Sequence, residues 1–469
     1  MNLEVEMGVL AAVPGHRAEP RRDLATLLVV CAGTLLALMT YTAPMIVLPQ
    51  TAAGLGAGPG AQVWLLNGIA LGLAATLLVV GSIADNHGRR RVFAVGTALL
   101  ALGSVGCAVA QEPVLFTAAR VLQGAASAAI IAAGLGLLGH AFRSGPDRAK
   151  ATGRWGATLG AGIALGPVAS AGLTEVAGWR AYYVLAAVAA TGVALFGSRT
   201  LAESRSTRSR RIDWSGTATL AVGVTLLLVA FTAARSGWLR PAVGIPLAVG
   251  VLLLGAFVLV EHRGRQPMLE LALFRSPMFR LSILGGLSTG LAVIGPMSFL
   301  PTLLQRTMGL GPLLTAGVFA VWAGTSFVVS LQMRRLGAGR ALWGLLVLGL
   351  LLAAAGDLAL LGLVASGTWL RALPGLFVAG IGSGVLNATL ARLAVESVPS
   401  DHIAMGSGAS NTARYVGSAL GLALVVSVAS GGLRLGDPAD VAVGAGAVLA
   451  VLGAVLAATQ RRREPVPAH

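Results

Sequence analysis

Apolar runs separated by short polar turns recur along the whole chain. Fourteen of them reach the roughly 20 residues that an α-helix needs to cross a bilayer. They lie at 24–48, 62–84, 92–110, 113–138, 155–173, 179–197, 214–233, 242–260, 281–304, 313–333, 341–364, 369–390, 405–429 and 440–459. The pattern predicts an all-α polytopic membrane protein with 14 transmembrane helices. No soluble domain fits between the runs. The longest polar segments are the N-terminal tail and the loops near 198–212 and 261–280.

Composition agrees. Hydrophobic residues fill 56% of 469 positions and charged residues only 11%, where soluble domains carry about a quarter. The mean hydropathy is +0.82. Cys31 and Cys107 both fall inside apolar runs, so a structural disulfide is not expected, and no metal-ligand spacing is present. The tail, 1–23, lacks an apolar core followed by a cleavage site and does not read as a signal peptide.

A net charge of +16 would suggest a nucleic-acid partner if it were concentrated on a domain. It is not. With the N-terminus in the cytoplasm, 26 of the 34 Lys and Arg residues fall in cytoplasmic segments. The positive-inside rule therefore places both termini in the cytoplasm, and the basicity reports orientation and contact with anionic lipid, not nucleic acid.

The arginine-rich loop after the sixth run, with Arg199, Glu203, Arg205, Arg208, Arg210 and Arg211, reads as a solvated linker closing a first half. The expected organisation is a tail (1–23), an N-terminal six-helix bundle (24–197), and a segment (198–280) holding the linker, two additional central helices and a following loop. A C-terminal six-helix bundle (281–459) and a second tail (460–469) complete it. A partial repeat supports the halves. The second run ends in the turn Gly81-Ser82-Ile83-Ala84-Asp85-Asn86-His87-Gly88-Arg89-Arg90-Arg91, and the tenth ends in Arg334-Arg335-Leu336-Gly337-Ala338-Gly339-Arg340, without the carboxylate. Halves related by pseudo-symmetry are the usual build of secondary transporters.

Three local patterns carry chemistry. In the turn, Gly81, Asp85, Gly88, Arg89 and Arg90 put an acid and a basic cluster at a helix end, where charge-assisted bonds can latch one conformation or simply cap the loop. In the fourth run, Arg120-Val121-Leu122-Gln123-Gly124 places Gln123 on the face of Arg120. An arginine at mid-helix costs about 2.5–3.5 kcal/mol on insertion scales, so it needs either a packing partner or a polar cavity. In the fifth run, Gly162 and Gly166 give a smooth packing face ahead of Pro167.

These residues resemble the major facilitator superfamily, in its fourteen-helix drug:proton antiporter branch. The first pattern is similar to the family's loop motif, the second to its Arg-x-x-Gln-Gly motif and the third to its antiporter motif. The resemblance covers 24–459. It implies gating by the turn, proton coupling or substrate sensing by Arg120 and Gln123, and rocking of two six-helix bundles. The match is imperfect. Thr158 and Ser170-Ala171 replace glycines of the antiporter motif, and Thr40 and Met45 replace the acid and asparagine usual in the first helix.

Asp357 is an acid deep inside an apolar run and is either a proton carrier or a neutral, helix-bonded carboxyl. Gln305, Asn387, Asn411 and Arg414 are further cavity candidates, each equally able to form interhelical bonds. The implied function is proton-coupled export of small hydrophobic or amphipathic compounds (drug, antibiotic or secondary metabolite) across a bacterial plasma membrane. The expected system is a monomer with protons as its energy source and neither cofactor nor metal. An importer or uniporter, or a non-transporting membrane sensor, remains the alternative. No phosphate-binding or metal motif suggests an enzyme.

Overall fold

A computed structural model describes residues 20–142, 145–205, 213–234, 237–264, 271–333, 342–398, 403–430 and 437–461. The tenth-run turn, 334–340, lies outside them, as does the side chain of Asp85. The described residues are helical, with no strand. The helices are α1 (Pro20–Thr42), α2 (Pro44–Gly54), α3 (Pro59–His87), α4 (Arg89–Val109), α5 (Pro113–Ala141), α6 (Gly145–Ala177), α7 (Arg180–Thr200) and α8 (Trp214–Ala234). They continue as α9 (Pro241–Arg263), α10 (Pro277–Thr289), α11 (Gly295–Met308), α12 (Pro312–Met333), α13 (Leu342–Ala359), α14 (Ala372–Glu396), α15 (Ile403–Ser430) and α16 (Pro438–Arg461).

Proline opens many of these helices because the first helical N–H has no partner to lose. Thirteen of the helical segments are long and apolar enough to cross a membrane, with α10 and α11 counted as one. The fourteenth crossing is α15, whose 28 residues span easily. Its Asn411, Arg414 and Ser418 lower its hydropathy. The first crossing is split between α1 and α2, and the ninth is joined by a π-helical turn over Gly290–Ile294. Several helices overrun the expected boundaries: α1 begins before 24, α7 passes 197 and α16 passes 459.

Helices α1 and α3–α7 pack among themselves, as do α10–α16. The two groups meet where α3 crosses α15, α6 crosses α12 and α2 meets α11, while α8 lies against both α3 and α15 and carries α9. Glycine sets the closest approaches. On α6, a Cβ at Gly162 would sit 2.8 Å from the Leu35 carbonyl and one at Gly166 2.6 Å from that of Met39, so α6 rides on the α1 backbone. On α15, Gly417 and Gly421 meet the Leu287 and Leu291 carbonyls so closely that any Cβ would overlap them. The local sequences, Gly162-Ile163-Ala164-Leu165-Gly166 and Gly417-Ser418-Ala419-Leu420-Gly421, are the same device on the fifth helix of each half. This is a clearer internal repeat than the one expected from the arginine turns.

One helix is held at both ends by its neighbour. The carboxylate of Glu203, just past α7, accepts from the Arg90 backbone N–H at 3.1 Å, and Arg89 N–H donates to the Ser204 carbonyl at 2.9 Å. At the far end of α4, Arg180, the first residue of α7, donates to the Ala108 and Ala110 carbonyls at 3.1 and 2.9 Å. An anion at the N-terminus and a cation at the C-terminus both favour the dipole of α4. The stretch expected to be only a solvated linker therefore begins as a cap.

Candidate functional site

The Gly81–Arg91 turn joins α3 to α4. Gly88 has φ of 111°, a region L side chains rarely adopt, and a Cβ there would lie 2.5 Å from the Glu203 carboxylate. Both facts require glycine. Arg89 donates to the Gly136 carbonyl at 3.1 Å and Arg91 pairs with Glu203 at 3.6 Å. Gly81 faces open space. The described bonds of Arg89, the Arg90 N–H and Arg91 tie the turn to α5 and to the end of α7, all within the first half.

The second pattern lies at the centre of that half. Arg120 and Gln123 on α5 are both 0% exposed. Gln123 Oε1 accepts from Arg120 Nη1 at 2.8 Å, and Gln123 Nε2 donates to Ser104 Oγ at 2.9 Å. Arg120 Nη1 also donates to the Thr40 carbonyl at 2.8 Å. The reason is four residues further on. Pro44 has no N–H, so the Thr40 carbonyl has lost its helical donor, and α1 stops at Thr42. The arginine supplies the missing bond. Two of its nitrogens, Nε and Nη2, remain without a hydrogen-bond partner.

Next along α1, Tyr41 turns the other way. Its hydroxyl is 2.9 Å from Ser418 Oγ, and its ring centroid 5.6 Å from that of Tyr415, both on α15. The Arg414 guanidinium lies 5.3 Å from the Tyr415 ring, with Nε unpartnered. Asn67 on α3 donates to the Ala419 carbonyl at 2.9 Å. At the end of the molecule away from the arginine turn, Gln305 donates to the Ile46 carbonyl and accepts from Gln50 at 3.1 Å. Nearby, Arg306 donates to Gln62 at 2.5 Å. The seam between the halves is thus apolar helix packing that carries a short series of polar bonds.

The structure places Arg120 and Gln123 at Thr40 and Arg414 over Tyr415, the ring that packs on Tyr41, and sets the other candidates apart. Asn411 donates at 3.0 Å to Ser407 on its own helix. Asn387 reaches Ser326 on α12 at 3.4 Å. Asp357, expected deep in its span, lies in the last turn of α13, because that helix ends at Ala359. It is still 1% exposed, and its Oδ2 has no hydrogen-bond partner. A Cβ on Gly446 of α16 would lie 2.9 Å from that oxygen and 3.2 Å from Pro296 of α11. Pro167 sits inside a continuous α6, and Ser170 one turn on donates to the Ala43 carbonyl at 2.8 Å.

Sequence reasoning passed over Tyr41 and the Gly417/Gly421 pair, placed Ser418 only at helical spacing from Asn411 and Arg414, and read Glu203 only as part of a solvated loop. The pair repeats a pattern visible in the sequence. Tyr41–Ser418 joins residues 377 positions apart and left no local signal.

The comparisons fit this architecture. The Major Facilitator Superfamily model matches residues 30–422. The puromycin resistance protein pur8 of Streptomyces alboniger is 34% identical over 438 residues, covering 90% of this chain and 86% of its own. The cephamycin export protein CmcT of Amycolatopsis lactamdurans is 30% identical over 451 residues, covering 92% and 90%. The multidrug resistance protein Stp of Mycobacterium tuberculosis (strain CDC 1551 / Oshkosh) is 28% identical over 417 residues, covering 87% and 76%. Among solved structures, the human organic anion transporter MFSD10 has the same fold at 16% identity, with a TM-score of 0.64 over 93% of this chain and 99% of that one. A multi-pass membrane transporter and not an enzyme, the chain belongs to the Major Facilitator Superfamily.

Proposed function

We propose that the chain is a proton-coupled exporter of small hydrophobic or amphipathic compounds, working as a monomer by alternating access. It would lie in a bacterial plasma membrane with its arginine turn and both termini in the cytoplasm, the orientation favoured by the charge distribution. The names of the similar bacterial proteins, which speak of puromycin resistance, cephamycin export and multidrug resistance, support drug or antibiotic export.

The observation that carries the reading is the seam. Its bonds at Tyr41–Ser418, Asn67–Ala419 and Gln50–Gln305 are few, and each joins one half to the other. A rocking motion can break such bonds one end at a time, while the backbone-tight packing of α6 on α1 and of α15 on α10 and the π-helical turn keeps each half rigid.

Asp357 is the proton carrier in this reading. Gly446 of α16 lies against its Oδ2 and, on the same side, against Pro296 of α11. Gaining or losing a proton there changes the charge beside Pro296, on the helix that also bears Gln305. Moving one charge through about 100 mV is worth roughly 2.3 kcal/mol, enough at about 1.4 kcal/mol per decade for a gradient of about 50-fold.

The test is efflux of a fluorescent hydrophobic dye from cells expressing the wild type or Arg120→Ala, with and without a protonophore. Export that collapses with the protonophore and is lost in the variant is expected. Efflux indifferent to the proton gradient would overturn the coupling.

A further inference from the structure

We propose that Arg120 and Arg414 form a binding site for the acidic group of an anionic cargo, so that the export proposed above favours lipophilic organic anions over cations. The inference rests on that export reading and adds the charge class of the substrate. Arg120 is fully buried, and its Nε and Nη2 have no partner. Among the described residues, its side chain donates to two neutral oxygens, the Thr40 carbonyl and Gln123 Oε1. Beside it lie three buried hydroxyls: those of Thr40 and Tyr182, which face each other, and that of Tyr183, which has no hydrogen bond. One closed cluster therefore holds an uncompensated cation and an unused tyrosine hydroxyl, that of Tyr183. An ionised group out of water is paired or finds a counter-ion. Among the described residues no carboxylate forms an ion pair with Arg120 or Arg414.

The second guanidinium stands across the seam. Arg414 is half-buried with Nε unpartnered, and Tyr41 lies in the field of both arginines. Thr40 faces Arg120 and Tyr41 faces α15, so breaking Tyr41–Ser418 as the halves part would open a path to Arg120 between them. A carboxylate is the right guest. It accepts parallel bonds from a guanidinium fork and takes further bonds from hydroxyls. Position 40 is decisive, because an acid there would fill the site from within the protein.

The experiment measures binding of three xanthene dyes to purified wild type, Arg120→Gln and Thr40→Asp: anionic fluorescein, a neutral fluorescein ester and a cationic rhodamine. Size-exclusion profiles confirm that the variants fold. The same dyes are then followed for efflux from cells. The wild type is expected to bind fluorescein at least tenfold more tightly than the rhodamine. Both variants should lose that preference, and Thr40→Asp should reverse it. Equal or tighter rhodamine binding by the wild type, no measurable fluorescein binding, or an unchanged preference in a folded Thr40→Asp would overturn the site. Rhodamine export without fluorescein binding would leave the exporter standing without this site. Fluorescein binding without efflux of any dye would keep the site and remove the exporter.

Discussion

Arg120 donates to the backbone of Thr40, not to its side chain, and it does so because Pro44 has removed the helical donor. One missing N–H thus accounts for the end of α1 and the direction of a buried arginine, while helical spacing turns the next residue, Tyr41, onto the other half. Pro44→Ala restores an N–H that competes for the Thr40 carbonyl. A hydrogen bond to a charged group is worth about 1.5–3 kcal/mol, so the variant should fold yet lose the fixed orientation of Arg120. Dye efflux is expected to fall at least tenfold at normal expression. Unchanged efflux would mean that the break in α1 is only a packing feature.

The glycine repeat makes a symmetric prediction. Overpacking a core costs about 1–3 kcal/mol, and here the added methyl meets backbone, which cannot rotate away. Gly166→Ala and Gly421→Ala should therefore each lower the melting temperature of the purified protein, to similar degrees. Sensitivity confined to Gly166 would show that the two halves do not share the device.

The crossings were legible because a bilayer demands long apolar helices, and the arginine turn because it interrupts them so sharply. Thr40 also stood out in the sequence, as a missing acid. The role of Glu203 was hidden: one more charge in an arginine-rich loop gives no hint that it reaches α4. Position 357 was misjudged in depth because apolar residues continue past Ala359, where the chain turns without remaining helical. Hydropathy reads composition, and it cannot see where a helix ends inside an apolar run.

Glu203 separates capping from ion pairing. Arg91 is 69% exposed in its pair with Glu203, and exposed pairs contribute about 0–1 kcal/mol. The backbone N–H of Arg90 is a different partner, since a helix start without its cap loses about 0.5–2 kcal/mol. Arg91→Ala should leave thermal stability nearly unchanged, while Glu203→Ala should lower it clearly. If the two variants melt alike, the ion pair and not the cap is what holds α4 to α7.

Asp357 offers the sharpest test of coupling. Asp357→Asn keeps the shape of the side chain and removes its titration. It should leave a folded protein that still equilibrates dye across vesicle membranes but no longer drives it uphill when a proton gradient is imposed. A methyl group at Gly446 would fall 2.9 Å from Asp357 Oδ2, so Gly446→Ala should weaken the same uphill component. A neutral carboxyl that only packs predicts the opposite: Asp357→Asn would then pump like the wild type, because asparagine fills the same space. Comparing downhill and uphill flux in one vesicle preparation distinguishes the two roles, since a loss of folding lowers both fluxes together.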